Sequence, residues 1–209
     1  KNKMYKKTNY DDLLKFNSNN ILEDLQKKIN IFKPDFIFWS AISSHIHGEG
    51  EYVNIQNGYD LLKDLDIKNA ILLTGGLQAT SASEIILKKM KKINYLIRGE
   101  SELVLLKILD NFDNQKKLKN TSEDLDKIDG ISFIKEKKFI QNKKQNIIND
   151  LDKLSPYDYD IFDNQALIRP YNGKVVKAVD YEMSRGCIYS CNYCVETIIQ
   201  KYYDFEESS

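Results

Sequence analysis

The residues able to do chemistry are crowded near the carboxyl end. Ser184-Arg185-Gly186-Cys187-Ile188-Tyr189-Ser190-Cys191-Asn192-Tyr193-Cys194 holds all three cysteines of the 209-residue chain, spaced Cys-x3-Cys-x2-Cys. Thiolates suit soft metals and iron–sulfur clusters. A loop this short can bend three sulfurs toward one centre. On a cubane-type [4Fe–4S] cluster, three thiolates leave one iron without a protein ligand and open to a small molecule. A structural zinc site normally takes four ligands, and His45 and His47 are far away in sequence. The plain alternative is three reduced cysteines packed in a helical turn. An odd cysteine count argues against a disulfide framework and fits a reduced, cytoplasmic setting.

The elements that must position this loop are read from periodicity. Leu22, Leu25, Ile29 and Phe32 recur at three and four, which predicts a helix. Asn20 followed by Glu23 suits a capping box, and Pro34 ends the helix. Phe36–Trp39 and Ala70–Thr74 are unbroken apolar runs, the pattern of buried parallel strands. Helices are predicted over 51–66, 82–92 and 103–112, with a further strand over 93–97. Strands alternating with helices of this length predict an α/β domain with a parallel sheet. In such sheets ligands bind beyond the carboxyl ends of the strands, where Gly75-Gly76 and Arg98-Gly99-Glu100 fall. Paired glycines let a ligand approach the backbone, although they also serve a bare strand-to-helix turn. Arg98 and Glu100 can bond to each other across this rim or to polar groups of a ligand.

Residues 113–127 are polar and charged. The runs 130–135 and 138–142 then predict a hairpin, and 149–160 an acidic tether. Residues 174–183 read as strand leading into the cysteine loop, and 195–203 as a helix with Ile198, Ile199 and Tyr202 on one face.

The cysteine spacing, with an aromatic residue (Tyr193) before the third cysteine, resembles the radical S-adenosylmethionine family. That resemblance implies a [4Fe–4S] cluster on Cys187, Cys191 and Cys194. Its open iron would chelate S-adenosylmethionine and cleave it to a 5′-deoxyadenosyl radical. The first half resembles the cobalamin-binding, flavodoxin-like domain found ahead of such catalytic domains. The matching pieces are Pro34-Asp35 before a strand ending Ser40-Ala41-Ile42, the Gly75-Gly76-x-x-Ala79-Thr80 turn, and Arg98-Gly99-Glu100-x-Glu102. The resemblance gives Ser40, Gly75 and Gly76 to the cobalamin pocket. Arg98, Glu100 and Tyr193 join them as cofactor-site candidates. Ser43-x-His45-x-x-Gly48 imitates the family's axial-histidine motif but follows the wrong strand, so His45 is read as a loop histidine near the ligand face.

The expected architecture is a flavodoxin-like, cobalamin-binding-like α/β domain over 1–125, with its first strand missing. A hairpin and linker over 126–172 follow, and then the first β/α unit of a partial TIM-type barrel over 173–209. The later barrel strands, which carry most contacts to S-adenosylmethionine and substrate, are absent, so the chain is read as a fragment or a truncated remnant. The resemblance implies a radical enzyme that depends on cobalamin, with methyl transfer as one reading. Methylthiolation or cyclisation without cobalamin is the alternative, and an electron donor such as flavodoxin or ferredoxin is the implied partner. The 31 basic and 31 acidic residues balance, which gives no field to steer toward nucleic acid. No apolar run is long enough for a membrane span. Nothing in the sequence points to a substrate.

Overall fold

The computed structural model describes residues 20–40, 55–67, 70–115, 125–162, 167–179, 181 and 184–203; His45 and His47 lie outside them. The chain divides into two compact units, 1–24 with 150–185 and 25–149 with 186–209.

The larger unit is built on a five-stranded sheet of order β1-β2-β3-β4-β5. Helix α1 (Ile21–Phe32) leads into β1 (Phe36–Ser40), α2 (Ile55–Leu62) and β2 (Ile71–Gly75). Two short helices follow, α3 (Leu77–Ser81) and α4 (Ser83–Lys89), then β3 (Tyr95–Ile97) and α5 (Glu102–Gln115). The start of α1 carries the expected cap: the Asn20 side chain accepts from the Glu23 amide at 3.2 Å and donates to the Glu23 carboxylate at 3.2 Å. Its end is marked by Lys33 at φ 51°, a left-handed C-terminal residue just before Pro34.

Strands β1, β2 and β3 run parallel, with Ser40 opposite Gly75 and Thr74 opposite Leu96. The hairpin β4 (Ile131–Lys135) and β5 (Lys138–Gln141) does not stand apart as a linker. Strand β4 pairs antiparallel with β3, Ile97 opposite Ile131, and so completes the sheet. Arg98 is the link, since its amide donates to Gly130 O at 2.8 Å just past the end of β3.

Side chains of a strand alternate between faces, and β2 and β3 use both. Leu73, Tyr95 and Ile97 join Val104 and Ile108 of α5, with Ile131 and Phe133, on one side. Leu96 joins Ile55, Ala79, Ile86 and Leu87 on the other, and Leu72 packs with Leu62 and Leu65. A sheet covered on both faces explains why the strands of the parallel part read as continuous apolar runs. The predicted helix over 82–92 is shorter, Ser83–Lys89, and a further short helix, Leu77–Ser81, occupies the stretch read as a turn, the two parted at Ala82 (φ −134°, ψ 35°).

In the smaller unit, β6 (Ile168–Tyr171) and β7 (Lys174–Lys177) form an antiparallel hairpin. Two 3-10 turns precede it, one capped by Asp150 and one by Asp158. Tyr157 stacks edge-on with Tyr181, centroids 6.3 Å apart. Returning to the larger unit, helix α6 (Glu196–Tyr202) follows the cysteine loop.

Candidate functional site: a cysteine loop braced on the carboxyl edge of the sheet

The parallel strands end together, so Ser40, Gly75-Gly76 and Arg98-Gly99-Glu100 all come to one edge. Ser40 is exposed and stands opposite Gly75 in register. A Cβ on Gly75 would press on the Phe38 ring at 3.3 Å, so packing alone demands a small residue there. Gly76 has φ 99° and precedes α3 directly, a conformation natural to glycine. The two glycine turns are joined by a residue whose role the periodicity did not reveal. The Thr80 hydroxyl donates to Gly76 O at 3.0 Å and accepts from the Gly99 amide at 2.8 Å.

Arg98 is not displayed at the rim. It is 2% exposed, and its guanidinium donates to the Asn142 carbonyl in the strap beyond the hairpin. Its Nε is buried without a hydrogen-bond partner among the described residues, and the Tyr202 ring lies 5.3 Å from its Cζ. Burial pulls its pKa below the ordinary guanidinium range. The Glu100 carboxylate accepts from the Ile148 amide at 2.6 Å. Both side chains therefore tie the strap over 142–148 to the sheet, where a bond across the rim or to a ligand was the expectation.

Helix α6 lies against this edge. The Tyr202 hydroxyl donates to Arg98 O at 3.4 Å, and the Tyr203 hydroxyl accepts from the Glu100 amide at 2.7 Å. Gly99 has φ 74°; a Cβ there would overlap the Tyr203 hydroxyl and come within 2.8 Å of the Tyr202 ring. Burial raises both phenols, that of Tyr203 to about 12.

The same helix holds the cysteine loop. The Gln200 carboxamide donates to Cys187 O at 2.6 Å and Tyr189 O at 3.2 Å, and the Thr197 hydroxyl donates to Cys191 O at 2.9 Å. A turn closes between the second and third cysteines, with the Cys194 amide donating to Cys191 O at 3.0 Å. All three thiols are free, Cys187 exposed and the other two partly so. Tyr193 is 93% exposed, and its phenol is raised first by hydrogen bonding to Cys191 and then by the charges of Cys191 and Cys194.

The donor chemistry fits a thiolate-bound cluster: three unbridged cysteines, exposed or partly so, on one loop. The side chains are not gathered in advance. Among the described residues no three His, Cys, Asp or Glu side chains are close enough to hold a metal ion. To hold a cluster, the three thiols would have to come together on a loop whose Cys187, Tyr189 and Cys191 carbonyls α6 engages.

No family model matches the chain. It is 32% identical over 137 residues to an anaerobic magnesium-protoporphyrin IX monomethyl ester cyclase from Synechocystis sp., covering 61% of this chain and 23% of that protein. A cyclase of the same description from Cereibacter sphaeroides is 24% identical over 82% of this chain and 26% of its own. The chain spans about a quarter of the length of these cyclases. An uncharacterized methyltransferase of Pyrococcus horikoshii is 22% identical over 84% of this chain and 34% of its own. Among solved structures, the cobalamin-dependent S-adenosylmethionine radical enzyme OxsB, with aqua-cobalamin and S-adenosylmethionine bound, aligns with 60% of this chain and 16% of its own. Its identity is 19% and its TM-score 0.39, too low for that likeness to carry weight. Among the described residues no helix is long and apolar enough to cross a membrane.

Proposed function

We propose that this chain is part of a radical S-adenosylmethionine enzyme associated with cobalamin, and that its cysteine loop holds a [4Fe–4S] cluster. The observation that carries the reading is Cys187-x3-Cys191-x2-Cys194 on a loop whose backbone is tied to α6 and whose cysteines are exposed or partly so. Once bound, such a cluster supplies the electron that opens S-adenosylmethionine to the 5′-deoxyadenosyl radical. The chain's own part is to hold the three ligands and to fix the loop against the sheet edge through Tyr202 and Tyr203. The exposed Tyr193 phenol, next to Cys191 and Cys194, lines the approach to the cluster. An electron donor of the flavodoxin or ferredoxin kind would deliver charge there. Cobalamin would be held at Ser40, Gly75 and Gly76, which the parallel strands bring to one edge with Ser40 opposite Gly75.

The reaction class has two readings. Methyl transfer is the one the cobalamin-like edge suggests. Ring cyclisation is favoured by the likeness to the cyclases above. Anaerobic reconstitution with iron and sulfide, followed by EPR with and without S-adenosylmethionine, tests the cluster. A change in the reduced signal on adding S-adenosylmethionine supports the reading, and an unchanged signal rejects the open iron. Titration with cobalamin, read by absorbance, separates the cobalamin-associated enzyme from one that keeps the front domain as scaffold.

A further inference from the structure

Three alternate carbonyls of the cysteine loop, those of Cys187, Tyr189 and Cys191, are turned toward α6 by two of its side chains, Gln200 and Thr197. Gln200 takes two of them with one carboxamide, and the Ser190 hydroxyl lies 3.4 Å from its other end. A peptide unit is planar and trans, so its N–H points opposite to its C=O. Fixing carbonyls 187, 189 and 191 on the helix side therefore directs the amides of Ile188, Ser190 and Asn192 away from the helix. Among the described residues none of these three amides donates to a backbone carbonyl. The helix is itself anchored, through the Tyr203–Glu100 and Tyr202–Arg98 bonds, to the end of β3.

We propose that Gln200 is a positioning residue: with Thr197 it presets the cysteine loop so that the amides of Ile188, Ser190 and Asn192 serve as N–H donors to the thiolate sulfurs of the bound cluster. This rests on the cluster reading above. The physical consequence concerns charge. Reduction adds negative charge to a cluster, and amide dipoles aimed at its sulfurs favour that charge, raising the reduction potential. They also lower the tendency of the thiolates to let go.

The test uses the full chain, loaded anaerobically with iron and sulfide, as wild type, Gln200→Leu, Gln200→Glu and Thr197→Val, with Lys201→Ala as a control on the exposed face of the same helix. Gln200→Leu is expected to surrender iron to a chelator about tenfold faster than wild type, the scale at which outer-sphere partners act, and to show a more negative reduction potential. Gln200→Glu keeps the length of the side chain but loses the N–H donors, so it should follow Gln200→Leu even if the leucine variant folds poorly. Thr197→Val should move both readouts the same way by less, and Lys201→Ala should match wild type. A second readout needs no cluster: in the apo chain, Gln200→Leu and Gln200→Glu should shift the backbone amide resonances of Ile188 and Ser190, and Lys201→Ala should not. Wild-type rates, potentials and shifts in both Gln200 variants would overturn the inference and leave the cluster reading standing. A wild-type chain that takes up no iron would overturn the cluster reading itself; the donor role then falls with it, while the amide shifts still decide whether Gln200 sets the loop.

Discussion

The hydroxyl of Tyr203 accepts a 2.7 Å hydrogen bond from the backbone amide of Glu100, 103 positions earlier in the chain. It joins the residue after α6 to the turn that follows β3, and it uses an amide on the edge where α/β domains bind ligands. Tyr203→Phe keeps the ring and removes the acceptor. The part-buried Glu100 amide is then left without that partner, which should cost about 1 kcal/mol. Chemical denaturation of the two chains measures the difference.

The same phenol gives a pH dependence. Its pKa is raised to about 12, chiefly by burial. In the unfolded chain a tyrosine ionises near pH 10, so between about pH 10 and 12 the unfolded state gives up a proton that the folded state keeps. Stability must then fall as pH rises through that window. Lysines titrate there as well, so the informative quantity is the difference between wild type and Tyr203→Phe. The wild type should lose more stability from pH 9.5 to pH 11.5, and parallel curves would contradict the assignment.

Arg98 presents a buried cation whose Nε lacks a hydrogen-bond partner among the described residues. A methionine of similar length would remove the desolvated charge while filling the space beneath Tyr202. Replacing buried ionic groups with apolar ones of similar volume is often neutral. Arg98→Met should therefore lie within about 1 kcal/mol of wild type, whereas Arg98→Ala, which leaves a void, should cost roughly 2–4 kcal/mol. Arg98→Lys should rank below methionine, because an ammonium is more strongly hydrated and stacks poorly on a ring. Denaturation midpoints of the three variants give the order.

Gly99 tests how closely α6 is seated. Alanine there meets two costs at once, a left-handed φ of 74° and overlap with Tyr202 and Tyr203. Gly99→Ala should destabilise by more than the roughly 1 kcal/mol of the backbone strain alone and should alter the near-ultraviolet circular dichroism of the tyrosine pair. A variant with wild-type stability and spectrum would mean that α6 does not sit on this edge in solution.

Local signals in the sequence were legible and long-range ones were not. The Asn20–Glu23 cap, the strands at Phe36 and Ile71 and the hairpin at 130–142 follow from patterns a few residues long, and each is present. That the hairpin joins the sheet depends on Ile97 meeting Ile131, a pairing no local pattern encodes. The short helix over Leu77–Ser81 gave no signal, because Thr80 and Ser81 are weak helix formers and follow a glycine pair. At the site, the cysteine spacing singled out one loop, but its support by Gln200 and Thr197 gave no signal, since a polar helix residue usually faces solvent. Arg98 and Glu100 were placed correctly at the end of β3, yet their side chains serve the strap over 142–148. Tyr202 was read as part of an apolar helical face, and its contact with Arg98 needed the fold to be seen.

Iron content tests the cysteine loop most directly. The chain is purified and loaded anaerobically with iron and sulfide, freed of loosely bound metal, and assayed for both elements. We expect about four irons and four sulfides per wild-type chain, and sharply lower values in each of Cys187→Ser, Cys191→Ser and Cys194→Ser. Wild-type iron at the level of the three serine variants would contradict the cluster reading.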